Sequence, residues 1–297
     1  MSPNHSLCVV SAERGRKPNY SAVYLAVARC LTSGGGVVYA AEDVPPEETL
    51  NNLSRATNID AETFAKNGAL TIIKYDALYN GNNSQGLDSK NLIKWWQSEI
   101  RKKQKKKYKQ VLIVDTCKPF TDTGNYHGLV DYEYAKKNAL TQPLSSSSPT
   151  ITANTADITS FSSAATTVEC ICCFNASVIN QISSMPILAS ILFCHNNKVG
   201  SAVKEEPIIV QPLYPSEMQE LIRESIDNIL GKGTSGLIIK TMKLVYHMDE
   251  ETVVRRPQLF ADTLERIVGE NTASTVLMNI LNKMKGRIIE VEYSSSC

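Results

Sequence analysis

The chain has 297 residues, too long for one ordinary domain and about right for two at roughly 100–200 residues each. Hydrophobic residues make up 42% and charged residues 21%, which excludes a chain too polar to bury a core. With 31 basic and 30 acidic residues the net charge is +1, so a general polycation built for nucleic acid is excluded and only a local basic patch is left open.

The first part of the chain alternates apolar runs with helical patterns. Strands are expected at Ser6–Ser11, Gly36–Ala41, Ala69–Lys74, Val111–Asp115, Val168–Phe174 and Pro207–Pro212. Between them, helices are expected at Ser21–Leu31, Pro46–Ala56 and Ser89–Lys107, and a long apolar one at Ala176–His195 with Pro186 as a kink or break. Pro46, Glu47 and Glu48 are good helix-opening residues, and Leu92, Ile93, Trp96 and Ile100 form one stripe on the third helix. Strands that alternate with helices and are apolar throughout predict βαβ units and a mainly parallel sheet covered on both faces.

Two segments break the pattern. Positions 101–109 read RKKQKKKYK: Arg101, Lys102, Lys103, Lys105, Lys106, Lys107 and Lys109 put seven charges into nine positions. Without them the rest of the chain is net acidic. Such a patch suits nucleic acid or an acidic protein partner, or it is a solvated helix end before a buried strand. No base-reading motif accompanies it. Positions 141–167 hold 14 serines and threonines among 27 residues and one charge, Asp157, and read as a flexible surface insertion.

From about Pro215 the pattern turns helical. Helices are expected at Met218–Leu230, from Thr234 (as its cap) to about Met248, from Pro257 to Gly269, and at Thr272–Met284, with a strand at Arg287–Tyr293. The division is thus an α/β domain over 1–213 and a small all-α domain over 214–297. The longest apolar stretch, Met185–Cys194, is about half the roughly 20 residues of a spanning helix. The opening MSPNHS lacks a basic region followed by an apolar one, so the expectation is a cytoplasmic protein without a membrane partner.

In an open parallel sheet, ligands bind beyond the carboxyl ends of the strands. The first strand there runs into Glu13, Arg14, Gly15, Arg16 and Lys17, the second into Glu42 and Asp43, and the fourth ends at Asp115 and Cys117. This layout resembles a RecA-like core, in which a glycine-rich loop wraps phosphates, one acidic residue orients water and an aspartate holds magnesium. Glu42 and Asp115 fit the last two roles. The phosphate loop does not: SAERGRKPNYS offers only Gly15, and Lys17 is followed by Pro18, which has no N–H. The other reading of Asp115 is a carboxylate capping a neighbouring helix.

Eight cysteines in such a chain read mostly as buried small hydrophobes. Cys170 and Cys172 share one face of a strand and, with His195 or Cys194, have the makings of a zinc site, but core cysteines are the preferred reading and no metal is expected. His127 reads as a loop residue near Tyr126 and Asp131, and His247 as a late helix residue. The pair Trp95–Trp96 is expected to pack its helix onto the sheet.

His5-Ser6-Leu7, LTSGGGVVYAAED, EETLNNLSRATNID, NGALTIIKYDALY, VLIVDTC, VECICCFN and ILFCHNNKV resemble the MEDS domain, a sensory domain named for methanogens, methylotrophs and a dichloromethane-responsive regulator. The resemblance spans His5–Val199. It implies a degenerate, non-hydrolysing RecA-like fold that senses a small molecule such as a hydrocarbon derivative, with His5 and His195 at the recurring positions. The Ser/Thr insertion and the basic run depart from it. Glu217–Met284 resembles a helical output domain of ammonia-oxidising archaea, the NitrOD type. Together these imply a non-catalytic signalling regulator without a cofactor, its ligand held near His5, Glu13, Arg14, Gly15, Lys17, Glu42, Asp43, Asp115 and His195. Its output would go to a protein partner or a second copy of itself. The alternatives are a KaiC-like ATPase with residual nucleotide binding, and a nucleic-acid-binding regulator using the basic run.

Overall fold

The computed structural model describes residues 5–10, 20–41, 44–74, 89–141, 166–195, 197–200, 208–210 and 215–290. Its seven strands are β1 (His5–Val10), β2 (Gly36–Ala41), β3 (Leu70–Lys74), β4 (Gln110–Asp115), β5 (Thr167–Asn175), β6 (Asn197–Gly200) and β7 (Ile208–Val210), in the spatial order β3-β2-β4-β5-β1-β6-β7. All neighbours are parallel except β6 and β7. The fold is an α/β parallel sheet flanked by helices and followed by helices alone, consistent with a RecA-like arrangement.

The strands pack on both faces, as their unbroken apolar runs require. In β4, Leu112 and Val114 join one buried layer with Val37, Tyr39, Ile171 and Cys173, while Val111 and Ile113 join the other with Val38, Ala40, Cys170 and Cys172. The first layer is covered by α1 (Ser21–Thr32), α2 (Pro46–Thr57) and α3 (Ala61–Lys66). The second is covered by α4 (Ser89–Lys105), α5 (Lys118–Asp122), α6 (Tyr126–Thr141), α7 (Ala176–Gln181) and α8 (Met185–Cys194). Trp96, 1% exposed, packs α4 onto the sheet as expected.

Several elements differ from the sequence reading. The helix expected over 176–195 is two: α7 stops at Gln181 and α8 opens at Met185 with Pro186 in its first turn. Proline favours a helix start because its missing N–H has no partner there anyway. The short α3, capped by Asp60 accepting from the Thr63 N–H at 3.1 Å, and α6 were not anticipated. β6 was missed because NKVG has no apolar run. The Ser/Thr-rich stretch 142–165 and the domain boundary at 213/214 lie outside the described residues.

The C-terminal helices are α9 (Pro215–Leu230), α10 (Thr234–Val245), α11 (Glu250–Arg255), α12 (Pro257–Val268) and α13 (Glu270–Glu290). Positions 287–290 are helical rather than the start of a strand, and α11 is an added element. Thr234 does not cap α10: Asp227 of α9 does so, accepting the Ser235 N–H at 2.8 Å. His247 lies beyond α10 with φ 55°, not within it. α12 and α13 pack against α8, and Lys285 of α13 donates to the Asn180 carbonyl of α7 at 2.8 Å. One buried cluster therefore runs from Phe174 and Leu188 into Met218, Phe260, Leu264 and Ile280. No helix among the described residues is long and apolar enough to cross a membrane.

Both tryptophans sit on α4, remote in sequence from the C-terminal helices, so their fluorescence reports on the α/β part. Leu264→Ala should cost about 2–5 kcal/mol, and because the buried cluster is shared, the fluorescence and far-ultraviolet circular dichroism transitions should fall together. A fluorescence transition that stays in place while the dichroism transition drops would contradict that coupling.

Candidate functional site

The sheet's second face carries a polar network where an apolar layer would be expected. It begins at Asp115, the last residue of β4, which is 0% exposed. Asp115 Oδ1 accepts the Cys117 N–H at 3.0 Å, which holds Cys117 in the left-handed region at φ 51°. A non-glycine residue pays for that conformation in steric strain. Asp115 Oδ2 accepts from the Tyr132 hydroxyl at 2.7 Å and from Lys136 Nζ at 2.6 Å. The Trp96 indole N–H in turn donates to the Tyr132 oxygen at 2.7 Å.

The partners come from α6, whose inward stripe is Leu129, Tyr132, Glu133, Lys136 and Leu140. Lys136 is 1% exposed, and its ammonium also donates to Glu133 Oε1 at 2.9 Å and lies 4.5 Å from the centre of the Tyr132 ring. Burial alone would lower the Lys136 pKa, but Asp115, the two thiols Cys117 and Cys172, and Glu133 outweigh it and hold the ammonium well above its ordinary range. Burial and the Asp115 carboxylate push the Tyr132 hydroxyl well up, so it stays a donor.

Around Glu133 the network turns to sulfur and imidazole. Cys117 Sγ donates to Glu133 Oε1 at 2.9 Å and Cys172 Sγ to Oε2 at 3.4 Å. Cys170 Sγ is 3.8 Å from Cys172 Sγ. Burial pushes the Cys117 and Cys170 thiols well up. His195, the residue that ends α8, is 4% exposed; its Nε2 lies 3.5 Å from Glu133 Oε2, and its ring stands edge-on to Phe174. Its Nδ1 is 2.6 Å from the Ile191 carbonyl oxygen. Lys137 ties the same helix end to α6 by donating to the Phe193 carbonyl at 3.0 Å. Among the described residues, Cys117, Glu133 and Cys172 form a group able to hold a metal ion, their ligand atoms all within 4.8 Å of one another.

Of the expected site residues, Asp115 and His195 are brought into one network, but under the sheet's helical cover rather than at an open crevice. The carboxylate does more than cap a helix. Glu13, Arg14, Gly15, Lys17, Glu42 and Asp43 lie outside the described residues, and His5 is placed by its backbone alone, in register with Cys170. His127 is not on a loop: it is exposed in the first turn of α6, away from the network. Sequence reasoning missed Glu133 and Lys136. The available signal was the helical spacing 129, 132, 133, 136 and 140, with charges at two of its positions.

The basic run is not uniform. Lys103 is 2% exposed and donates to the Gly68 and Ala69 carbonyls and the Thr71 hydroxyl at 2.8–2.9 Å, clasping α4 to β3. Lys102 pairs with Glu99 at 2.6 Å, and Lys106 donates to the Asn67 carbonyl at 3.3 Å. Arg101, Lys105, Lys107 and Lys109 are exposed.

No protein-family model matches the chain, and no curated protein matches it.

Lys136→Met removes the cation facing two buried carboxylates and should cost about 3–5 kcal/mol in denaturant unfolding, whereas Lys105→Gln on the exposed face should stay within about 0.5 kcal/mol of the parent. A second expectation concerns pH. Burial lowers the Lys103 pKa to about 8 from an ordinary 10.5. Between those values the unfolded chain binds the extra proton, so this residue's contribution to stability should rise with pH across that window. The difference in Tm between the parent and Lys103→Met, followed from pH 7 to 11, should widen in the parent's favour as pH rises.

Proposed function

We propose that the chain is a non-catalytic small-molecule sensor on a RecA-like sheet, with the ligand bound beyond the carboxyl ends of the strands and its arrival relayed to the C-terminal helices. The observation that carries this reading is the state of Asp115. In a hydrolysing RecA-like enzyme the aspartate ending this strand would face magnesium. Here one oxygen of Asp115 is taken by the Cys117 N–H and the other by Tyr132 and Lys136, with no exposed surface. An ammonium 2.6 Å away does the neutralising work a magnesium ion would do, and it cannot polarise a phosphate. With the incomplete phosphate loop, this favours binding without hydrolysis.

The relay follows from α8. Its C-terminal end carries His195 to Glu133, and its N-terminal residues Met185 and Pro186 line a cleft of about 310 Å³ with Ala261 of α12 and Ala273 and Leu277 of α13. A ligand that favours one position of α8 would favour one position of the C-terminal helices by the same free energy. This agrees with a MEDS-type sensor feeding a NitrOD-type output, and with a partner protein or a second copy as recipient. The nucleic-acid reading has less to draw on, because Lys103 is spent inside the fold.

The expected result is no magnesium-dependent ATP hydrolysis above buffer, together with a rise in Tm for one class among nucleotides, small carbonyl compounds and halogenated hydrocarbons. ATP hydrolysis that disappears in Glu42→Gln would overturn the reading in favour of an ATPase. Absence of any thermal shift across all three classes counts against a sensor.

A further inference from the structure

We propose that the chain associates with a second copy of itself by laying α10 of one copy into the cleft between α8, α12 and α13 of the other. The contact goes beyond the sensor reading and does not depend on which ligand the strand ends take.

α10 is covered on one side only. Ser235, Ile238, Ile239 and Met242 turn inward, and the helix packs on α9. On the opposite side Leu237, Leu244 and Val245 are 63–68% exposed, more than any other large apolar side chain among the described residues. Leu237, Thr241 and Leu244 stand at i, i+4 and i+7, so they form one ridge about two turns long. Lys240 and Lys243, both exposed, flank that ridge on one side, and no acidic residue lies between Asp227 and Asp249. Apolar side chains gathered on one helix face and edged by charge of a single sign suit a helix that enters a groove of the opposite sign.

Such a groove is present on the same chain. The cleft of about 310 Å³ takes Met185 and Pro186 from α8 and Leu277 and Met278 from α13 as apolar lining. Asp262 and Glu265 of α12 and Glu270 of α13 also line it, and no basic side chain does so among the described residues. Asp262 accepts from the Gln258 side chain at 2.8 Å, whereas Glu265 and Glu270 are in no ion pair among the described residues.

The two surfaces match in character, charge and spacing. An apolar ridge meets an apolar lining, and two ammoniums meet three carboxylates. Lys240 and Lys243 are three residues apart on one helix, and so are Asp262 and Glu265 on another, which separates each pair by about 4.5 Å along its axis. α10 against α10 is a poorer match, because an antiparallel two-fold pair would set all four lysines along one edge. Because ridge and cleft are different surfaces, the contact joins copies head to tail, or twice about a two-fold axis. Its small size makes the association weak and dependent on concentration.

The test is sedimentation velocity of the full chain over a range of concentrations. The parent should sediment as more than one 32.7 kDa chain, increasingly so with concentration. Salt at about 1 M, which screens charges beyond about 3 Å, should weaken the association. Lys240→Glu with Lys243→Glu, and separately Glu265→Lys with Glu270→Lys, should each weaken it by about tenfold or more. Mixing those two variants restores opposite charges across the contact and should bring association back to within about threefold of the parent. Leu237→Asp with Leu244→Asp should leave single chains with the parent's far-ultraviolet circular dichroism, since both side chains are exposed. A parent that stays a single chain at every concentration overturns the contact. So does association that neither charge reversal changes, or a mixture of the two reversed variants that stays dissociated. A single chain that binds phosphatidylglycerol vesicles through the same two leucines gives the ridge to a lipid surface, and one that binds none leaves it to a foreign protein; both overturn the self-contact.

Discussion

The contact between Lys136 and Asp115 is the constraint around which the sheet's second face is arranged. Burying an ammonium and two carboxylates away from bulk solvent is costly, and it is tolerated when their hydrogen-bonding positions are filled. Lys136 reaches Asp115 and Glu133, Tyr132 fills a further position on Asp115, and Trp96 anchors Tyr132. α4, α6 and β4 are thereby fixed to one another by directed bonds as well as by apolar contact. Shape alone would let α6 slide along the sheet; an ion pair of this length would not. Such specificity comes at the expense of raw stability, since an apolar core of equal volume avoids the desolvation cost.

The same contact links architecture to function. Where a hydrolysing RecA-like enzyme would face a metal-bound phosphate, Asp115 is paired with the protein's own cation. The carboxyl end of β4 is thereby a structural hub. α8 shares the hub through His195 and shares the C-terminal helices' core through Met185 and Leu188. An element fixed at both ends suits the relay proposed above, because a movement at one end cannot be absorbed locally without breaking packing.

The sheet was legible in the sequence because doubly covered strands are apolar on both faces, as β2 is and as β4 and β5 are over Val111–Val114 and Cys170–Phe174. The short β6 lacked that signal. α6 was hidden because Glu133 and Lys136 stand where a hydrophobic stripe would have announced it. The network was half legible for the same reason. Asp115 and His195 stood out by position, whereas their partners are ordinary charges until the fold places them opposite one another. The basic run illustrates the converse: its composition is conspicuous, yet Lys103, near its centre, is an internal strut whose role depends on the backbone of β3, far away in sequence.

β1 lies between β5 and β6, its register running from His5 opposite Cys170 to Cys8 opposite Val199. A ribosome therefore delivers an apolar strand whose hydrogen-bonding partners do not yet exist. More than half of the chain must emerge before either edge of β1 can be satisfied. The connection is among the longest loop closures in the fold, and such closures slow folding and prolong exposure of unpaired edges. Meanwhile β2, β3 and β4 pair among themselves. The centre of the finished sheet thus waits for β5, with β6 and β7 at one edge following it, while both ends of the Asp115–Lys136 bond are synthesised before β5, which pairs with β4.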